Sequence, residues 1–152
     1  MERLLERPLR ILHAEDNPGD AHLTRLALDE RGFPVDLHHV VDGEEALRFL
    51  RREGDYAHAP RPDLVLLDLN MPRLGGHETL AAIKTDPDLR SIPVLVLTTS
   101  IAPHDVTRSY EAHVNSYMRK PLSYAQLVEL MQRVENYWLE AAVLPSFADA
   151  DA

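Results

Sequence analysis

The chain contains no cysteine among its 152 residues. Disulfide bridges, thiolate zinc sites and cysteine nucleophiles are therefore excluded as elements of its structure or chemistry. A chain without cysteine suits a reducing compartment, so we expect a cytoplasmic protein.

The sequence also lacks a long apolar run. No uncharged segment approaches the roughly 20 residues that a membrane-spanning helix needs. The first ten residues, MERLLERPLR, alternate charge with leucine instead of forming the apolar centre of a signal peptide. The sequence therefore predicts neither secretion nor insertion into a membrane.

Positive charge is scarce. Lysine and arginine total 16 against 25 acidic residues, which gives a net charge of -9. This excess of negative charge opposes attachment to nucleic acid or to anionic lipid, so we expect no direct DNA binding and no membrane partner. A length of 152 residues with 45% hydrophobic residues fits one globular domain with a sizeable core.

Short β-rich runs alternate along the chain with longer segments in which apolar residues recur at helical spacing. The runs are LRILHA from Leu9, VDLHHV from Val35, DLVLLD from Asp63, PVLVLT from Pro93 and NSYMRK from Asn115. Strict alternation of strand and helix predicts an α/β fold, a doubly wound parallel sheet with helices on both faces. The polar run VDLHHV is typical of an edge strand, and Ser123 is a predicted N-cap of the last helix.

Polar residues follow four of these strands at the point where each strand ends. They are Glu15 and Asp16 after the first, Asp68 after the third, Thr98 and Thr99 after the fourth, and Lys120 after the fifth. Ligands of open α/β sheets bind outside the carboxyl ends of the strands. We therefore expect these side chains to share one crevice.

Three carboxylates in one crevice raise one another's pKa unless a cation lies among them. Because the available ligands are oxygens only, a hard ion such as Mg²⁺ is favoured over zinc. Lys120 and Thr98 would offer a phosphoryl group a fixed positive charge and a hydrogen-bond donor. Asp68 would then be the nucleophile that accepts this group.

The segments EDN, DLNMP, LTTS and YMRKP, in this order along the chain, resemble the receiver domain of two-component response regulators. The resemblance covers Leu9 to about Tyr137. It implies a flavodoxin-like fold whose five parallel strands lie in the order 2-1-3-4-5. It also divides the chain into an N-terminal extension (1–8), a receiver domain (9–137) and a C-terminal extension (138–152) with a frayed acidic end.

The same resemblance implies a role for each matching residue. Asp68 would be phosphorylated by a histidine kinase, and Mg²⁺ would be bound by Asp16, Asp68 and the backbone carbonyl of Asn70, assisted by Glu15. The remaining implied roles are phosphoryl binding by Thr98, Thr99 and Lys120, an aromatic switch at Tyr117 that moves with Thr98, and a cis peptide bond before Pro121.

A narrower resemblance concerns the segments EDNPGDAHLTRLAL, DPDLRSIPVLVLTTS and NYWLEAAVLP. They are similar to small stand-alone regulators that partner phytochrome-type light-sensing histidine kinases. The chain departs from the usual receiver pattern at His113 and Val114, where receivers place Gly-Ala. If that turn needs a positive φ, either His113 is strained there or the turn is remodelled.

The segment NYWLEAAVLP, at the junction of the receiver domain and the C-terminal extension, carries a cluster of apolar side chains beyond the fifth β-α unit. Its members are Tyr137, Trp138, Leu139, Val143 and Leu144. Exposed apolar clusters mark interfaces, so we expect a homodimer contact there. The alternative is that this segment folds back onto the body of the domain.

The sequence thus predicts a signalling switch that acts through protein contacts, not a metabolic enzyme. One rival is an Mg²⁺-dependent phosphatase with an aspartyl-phosphate intermediate, which would need a second acid where Asn70 stands. Another is a mononucleotide-binding protein of flavodoxin type, but no glycine-rich phosphate loop follows the first strand. The third is a receiver-like scaffold that no longer accepts phosphate, against which the intact acids and Lys120 count.

Overall fold

The computed structural model describes residues 7–145. A single sheet contains five strands, which are β1 (Leu9–Ala14), β2 (Val35–Val40), β3 (Leu64–Leu67), β4 (Val94–Thr98) and β5 (Ser116–Arg119). The strands lie in the order β2-β1-β3-β4-β5, and every neighbouring pair is parallel. This confirms the predicted fold class, the strand order and the edge position of β2.

Five helices connect or follow the strands: α1 (Pro18–Asp29), α2 (Gly43–Arg51), α3 (Gly76–Thr85), α4 (Pro103–Glu111) and α5 (Tyr124–Asn136). A short 3-10 turn (Gly54–Tyr56) follows α2, and a π-helical turn (Tyr137–Ala141) follows α5. The side chains of Asn17, Asp42 and Ser123 accept backbone N–H groups at the starts of α1, α2 and α5. Such caps satisfy N–H groups that have no partner within the helix.

The core consists of two apolar clusters, one on each face of the sheet. Every residue of β3 is buried. Since successive side chains of a strand point to opposite faces, Val65 and Leu67 pack on the side of α2 and α3, whereas Leu64 and Leu66 pack on the side of α1 and α5. We call these the α2/α3 cluster and the α1/α5 cluster. β3 is packed between these two clusters, and Asp68 directly follows its last residue.

The C-terminal segment folds back in part onto the domain. Leu139 is 7% exposed and Leu144 is fully buried, and both belong to the α1/α5 cluster. The π-helical turn, closed by a hydrogen bond from the Ala142 N–H to the Tyr137 carbonyl, directs both side chains inward. The prediction that these two leucines form a dimer interface is therefore wrong.

Other parts of the predicted extensions have different outcomes. Tyr137 and Val143 remain exposed, and Trp138 is half-buried against the α1/α5 cluster. Residues 1–6 and 146–152, including the predicted frayed end, lie outside the described residues. Within 7–145, each helix is too short or too polar to cross a membrane.

The turn after α4 keeps a positive φ. His113 has φ +70°, and its N–H donates to the Tyr110 carbonyl while the Val114 N–H donates to the Ser109 carbonyl. The turn is thus not remodelled to suit histidine. A left-handed conformation costs a side-chain-bearing residue about 1–2 kcal/mol, which glycine would avoid.

One buried acid lies far from the carboxyl edge of the sheet. Glu135 on α5 is fully buried, and neither carboxylate oxygen has a hydrogen-bond partner within residues 7–145. Burial raises the pKa of Glu135 to about 7, partly opposed by the charge of Arg31 and reinforced by that of Asp29. Between pH 4.5 and about 7, the Glu135 carboxyl therefore keeps its proton in the folded state, whereas in the unfolded chain it has already released it.

We predict that Glu135→Gln stabilises the protein at high pH. Because the pKa of Glu135 is higher in the folded state, the free energy of unfolding of the wild type falls as the pH rises from the unfolded-state pKa of 4.5 to the folded-state pKa of about 7. Above pH 7 the whole of this decrease is present. Glutamine does not titrate, so the variant should exceed the wild type by about 3 kcal/mol near pH 8 and by less than about 1 kcal/mol near pH 5. Urea denaturation at both pH values measures the difference, and Glu129→Gln on the exposed side of α5 is the control. An equal pH dependence in all three proteins would contradict the prediction.

Candidate functional site

Two neighbouring strands bring three acids together. β1 and β3 pair in register from Ile11 with Leu64 to Ala14 with Leu67, so the residues that follow them emerge side by side. One carboxylate oxygen each from Glu15, Asp16 and Asp68 lies within 4.8 Å of the other two. Glu15 and Asp68 are buried and Asp16 is exposed. The acids therefore share one crevice that opens to solvent at Asp16.

A single lysine reaches this crevice from the far side of the sheet. Lys120 follows β5, and its Nζ lies 2.5 Å from Glu15 Oε1, 3.1 Å from Asp20 Oδ2 and 3.5 Å from Asp68 Oδ2. Asp20 is absent from the site residues that the sequence predicts. It lies in the first turn of α1, four residues after Asp16, and its contact with Lys120 depends on how α1 is oriented against the sheet.

The charges in the crevice are unevenly balanced. Burial raises the pKa of Glu15 to about 7; the hydrogen bond from Lys120 opposes this rise and the charge of Asp68 adds to it. Burial alone would lower the pKa of Lys120, but its hydrogen bond to Glu15 and the charge of Asp68 raise it overall. The lysine is thus held protonated, and the carboxylates still lack a full complement of positive charge.

The loop between β3 and α3 folds closely around Asp68. A Cβ at Gly76 would lie 2.3 Å from the Asp68 carbonyl oxygen, so only glycine fits there. The Asn70 N–H lies 3.3 Å from Asp68 Oδ1. Arg73, at φ +61°, donates from Nε to Asp42 at 2.6 Å and so ties the loop to the start of α2. The close contact at Gly76 and the hydrogen bond of Arg73 thus hold the loop that begins with Asp68.

Thr98 ends β4 at the same edge of the sheet. It is fully buried, and its hydroxyl has no hydrogen-bond partner within residues 7–145. Leaving a buried polar group unsatisfied costs about 1–3 kcal/mol, which an acceptor oxygen arriving in the crevice would remove. The neighbouring Thr99 is exposed. The phosphoryl-binding roles of both residues stay predictions.

Tyr117 on β5 is connected to the loop that follows Thr98. Its ring is half-buried against the α2/α3 cluster, and its hydroxyl donates to the Ser100 carbonyl at 2.8 Å. Its role as an aromatic switch that moves with Thr98 stays a prediction.

Comparison with known proteins identifies the family to which the chain belongs. The family model of the response regulator receiver domain matches residues 11–132. The chain belongs to this family. The resemblance inferred from EDN, DLNMP, LTTS and YMRKP is therefore confirmed, as is a function in two-component signalling as a response regulator.

Individual relatives of this receiver domain cover nearly the whole chain. The response regulator Rcp1 of Synechocystis sp. is 44% identical over 91% of this chain and 95% of its own. The crystal structure of the phosphorylated cyanobacterial phytochrome response regulator RcpA has a TM-score of 0.87 with 46% identity, covering 91% of this chain and 99% of that one. The Mn²⁺-bound form of Rcp1 has a TM-score of 0.81 with 44% identity and the same coverage.

One site prediction for this receiver domain is wrong. Within residues 7–145 there is no cis peptide bond, so the Lys120–Pro121 bond is trans. Trans is the lower-energy isomer of an X-Pro bond by about 0.5–1 kcal/mol. Lys120 reaches Glu15 without the cis isomer, while its backbone N–H donates to the Thr98 carbonyl at 2.7 Å.

The crevice of the receiver domain fits a divalent cation. Glu15, Asp16 and Asp68 provide oxygen ligands close enough to share one ion, and burial together with the charge of Asp68 raises the pKa of Glu15. An ion bound among them would relieve their mutual repulsion. The role of the Asn70 carbonyl in this ligand set stays a prediction.

We predict that Asp16→Asn removes most of the stabilisation that MgCl₂ gives the wild type. A ligand that binds only the folded state stabilises it by about 2.7 kcal/mol at one hundred times its Kd. Since Asp16 is exposed, its substitution leaves the core intact. Thermal unfolding with and without saturating MgCl₂ measures the gain. The exposed Asp88→Asn variant should keep the full gain; an equal gain in Asp16→Asn would place the ion elsewhere.

Proposed function

We propose that this receiver domain accepts a phosphoryl group on Asp68 from the phosphohistidine of a histidine kinase. The observation that supports the proposal most directly is the juxtaposition of a buried nucleophile with a protonated lysine. Lys120 Nζ lies 3.5 Å from Asp68 Oδ2, and both groups are at the edge where the unsatisfied Thr98 hydroxyl ends β4.

The transfer uses groups already in place. An Asp68 carboxylate oxygen attacks phosphorus while the phosphorus–nitrogen bond breaks, and the imidazole leaves with that electron pair and takes up a proton. The Lys120 ammonium and the Thr98 hydroxyl hold the transferred oxygens. Glu15, Asp16 and Asp68, with the Asn70 carbonyl, would bind the cation, which when bound neutralises charge on the phosphoryl oxygens.

Mg²⁺ is the cation that these ligands favour. The ligand atoms that cluster in the crevice are three carboxylate oxygens, one each from Glu15, Asp16 and Asp68. Hard divalent ions prefer such a set. The Mn²⁺ in the structure of the relative Rcp1 is consistent with this choice, because Mn²⁺ also accepts oxygen ligands.

A phytochrome-type histidine kinase is the proposed partner. The similarity to RcpA and Rcp1 over nine-tenths of the chain supports it, since RcpA is a phytochrome response regulator. Two exposed apolar side chains line the same concavity as Asp20 and Lys120: Leu23 on α1, and Leu122, which is 92% exposed. These side chains offer a kinase helix an apolar surface next to the nucleophile.

The proposed activity is that of a switch in the cytoplasm, not that of a metabolic enzyme. A phosphatase of aspartyl-phosphate type would need an acid at position 70, and the exposed Asn70 amide cannot act as general acid. The output of the phosphorylated state then passes through protein contacts.

We predict that the wild type incubated with acetyl phosphate and MgCl₂ gains one phosphoryl group, which hydroxylamine removes because the bond is an acyl phosphate. Asp68→Asn should gain none, whereas the exposed Asp88→Asn variant should behave as the wild type. Intact mass spectrometry measures the adduct. An unmodified wild type, or equal modification of Asp68→Asn, would reject Asp68 as the acceptor.

A phosphotransfer assay with a panel of labelled histidine kinases tests the proposed kinase class. An autophosphorylated phytochrome-type kinase should transfer its label to the wild type faster than kinases of other sensor classes do. Equal rates across the panel would reject the phytochrome assignment while leaving phosphorylation of Asp68 intact.

We also propose a homodimer that uses the exposed part of the C-terminal segment. Tyr137 is 54% exposed and Val143 is 73% exposed, and the Tyr137 ring packs edge-on against Trp138 with centroids 5.0 Å apart. Apolar and aromatic side chains of this kind are enriched at the centres of interfaces. Leu139 and Leu144 support this surface from within the core.

We predict that Val143→Glu weakens the dimer at least tenfold, since it places a charge in an apolar contact. Sedimentation velocity over a concentration series measures the monomer fraction. Leu122→Ala, which removes an exposed leucine outside this surface, is the control and should leave the dimer unchanged. The interface is refuted if Val143→Glu and the wild type have the same monomer fraction. This includes the result that both proteins are monomeric at every concentration.

A further inference from the structure

A chain of hydrogen bonds joins the start of α3 to the loop after β4. His77 Nε2 lies 2.9 Å from Asp105 Oδ1, and the Ser100 hydroxyl donates to Asp105 Oδ2 at 2.6 Å. Asp105 in the first turn of α4 thus uses one carboxylate oxygen for each neighbour. We call this arrangement the His77–Asp105–Ser100 bridge.

The bridge is partly shielded from solvent, most of all at His77, while the Asp105 side chain is 23% exposed. The His77 side chain is 11% exposed, whereas that of His104, which lies 3.5 Å from the same Asp105 oxygen, is 82% exposed. Hydrogen bonds from Ser100 and His77 lower the pKa of Asp105, which keeps the carboxylate charged. Because a carboxylate only accepts, His77 Nε2 must be the donor. A shielded, charge-assisted hydrogen bond constrains its partners more than an exposed ion pair does.

The bridge does not form a hydrolase triad. In a triad the imidazole lies between the hydroxyl and the carboxylate and takes the hydroxyl proton. Here Asp105 lies in the middle, so the His77 imidazole does not contact the Ser100 hydroxyl. The arrangement suits a structural link.

The two ends of the bridge belong to the connections that follow the neighbouring strands β3 and β4. His77 is the second residue of α3, directly after the loop that carries Asp68. Ser100 is two residues beyond Thr98, and its carbonyl accepts the Tyr117 hydroxyl. Through Asp105, the acceptor loop is therefore connected to the loop of Thr98 and to Tyr117.

We propose that His77 is a positioning residue that, through Asp105, holds residues 98–102 in the arrangement that receives a phosphoryl group. A ligand that requires one loop arrangement binds more tightly when that arrangement is already populated. The bridge holds the Ser100 hydroxyl, and Thr98 with its unsatisfied hydroxyl lies two residues away. This inference rests on the proposed phosphorylation of Asp68.

The test measures binding of beryllium fluoride, a mimic of the phosphoryl group, at saturating MgCl₂. His77→Leu removes the donor, and we expect about tenfold weaker binding of beryllium fluoride, equivalent to about 1.4 kcal/mol. His77→Gln restores a donor and should recover most of the affinity. His104→Leu is the matched control and should bind as the wild type. Mg²⁺ affinity, measured separately, should be the same in all four proteins, which a general loss of structure would not permit.

A second variant acts from the other end of the bridge. Ser100→Ala removes the hydroxyl while leaving the carbonyl for Tyr117, and it should weaken beryllium fluoride binding in the same direction. In ¹³C-labelled tyrosine spectra, His77→Leu and Ser100→Ala should both shift the Tyr117 ring resonance of the free protein.

The outcomes separate this inference from the proposed function. Wild-type affinity in His77→Leu, or a loss in His77→Leu that Ser100→Ala does not share, overturns the bridge as a positioning device. Failure of the wild type itself to bind beryllium fluoride with Mg²⁺ overturns phosphorylation of Asp68, and the role of His77 with it.

Discussion

The repulsion among carboxylates at the carboxyl ends of β1 and β3 is the constraint around which this receiver domain is organised. Oxygens of Glu15, Asp16 and Asp68 lie within 4.8 Å of one another, and burial raises the pKa of Glu15 to about 7. Such a cluster persists only if other interactions hold the strands in register. The two apolar clusters do this, which explains why every side chain of β3 is buried directly before Asp68.

The same constraint determines which ligands the crevice favours. Lys120 compensates part of the negative charge, and a divalent cation would compensate more. A phosphoryl group adds negative charge but also supplies acceptors for Lys120 and for the unsatisfied hydroxyl of Thr98. Cation and phosphoryl group therefore favour each other's binding. Free of ligands, the crevice retains two deficits, one of charge and one of hydrogen bonding, and the pair of ligands removes both.

The parts of this site that the sequence predicted are those that strand topology determines. In a parallel sheet, residues after β1, β3, β4 and β5 must reach one edge, so Asp16, Asp68, Thr98 and Lys120 could be grouped without coordinates. Asp20 and the pair His77–Asp105 were missed because their contacts depend on how helices rotate and how loops run, which no strand rule specifies. The isomer of Pro121 and the burial of Leu139 and Leu144 were wrongly predicted for related reasons. The two proline isomers differ little in energy, and apolar spacing is the same for a core as for an interface.

Because side chains alternate between the two faces along each strand, residues from both faces of the sheet reach the crevice. Leu64 and Leu66 point to the α1/α5 side, as does Met118, and Lys120 continues that side to meet Asp20 on α1. Val94 and Val96 point to the α2/α3 side, and Thr98 continues it, together with Tyr117. The crevice thus lies where side chains from both faces of the sheet meet. Lys120 therefore approaches Asp68 from one face of the sheet, whereas Thr98 ends β4 on the other. This edge is connected to α4 and β5 through the loop after Thr98, where Ser100 bonds to Asp105 on α4 and to Tyr117 on β5.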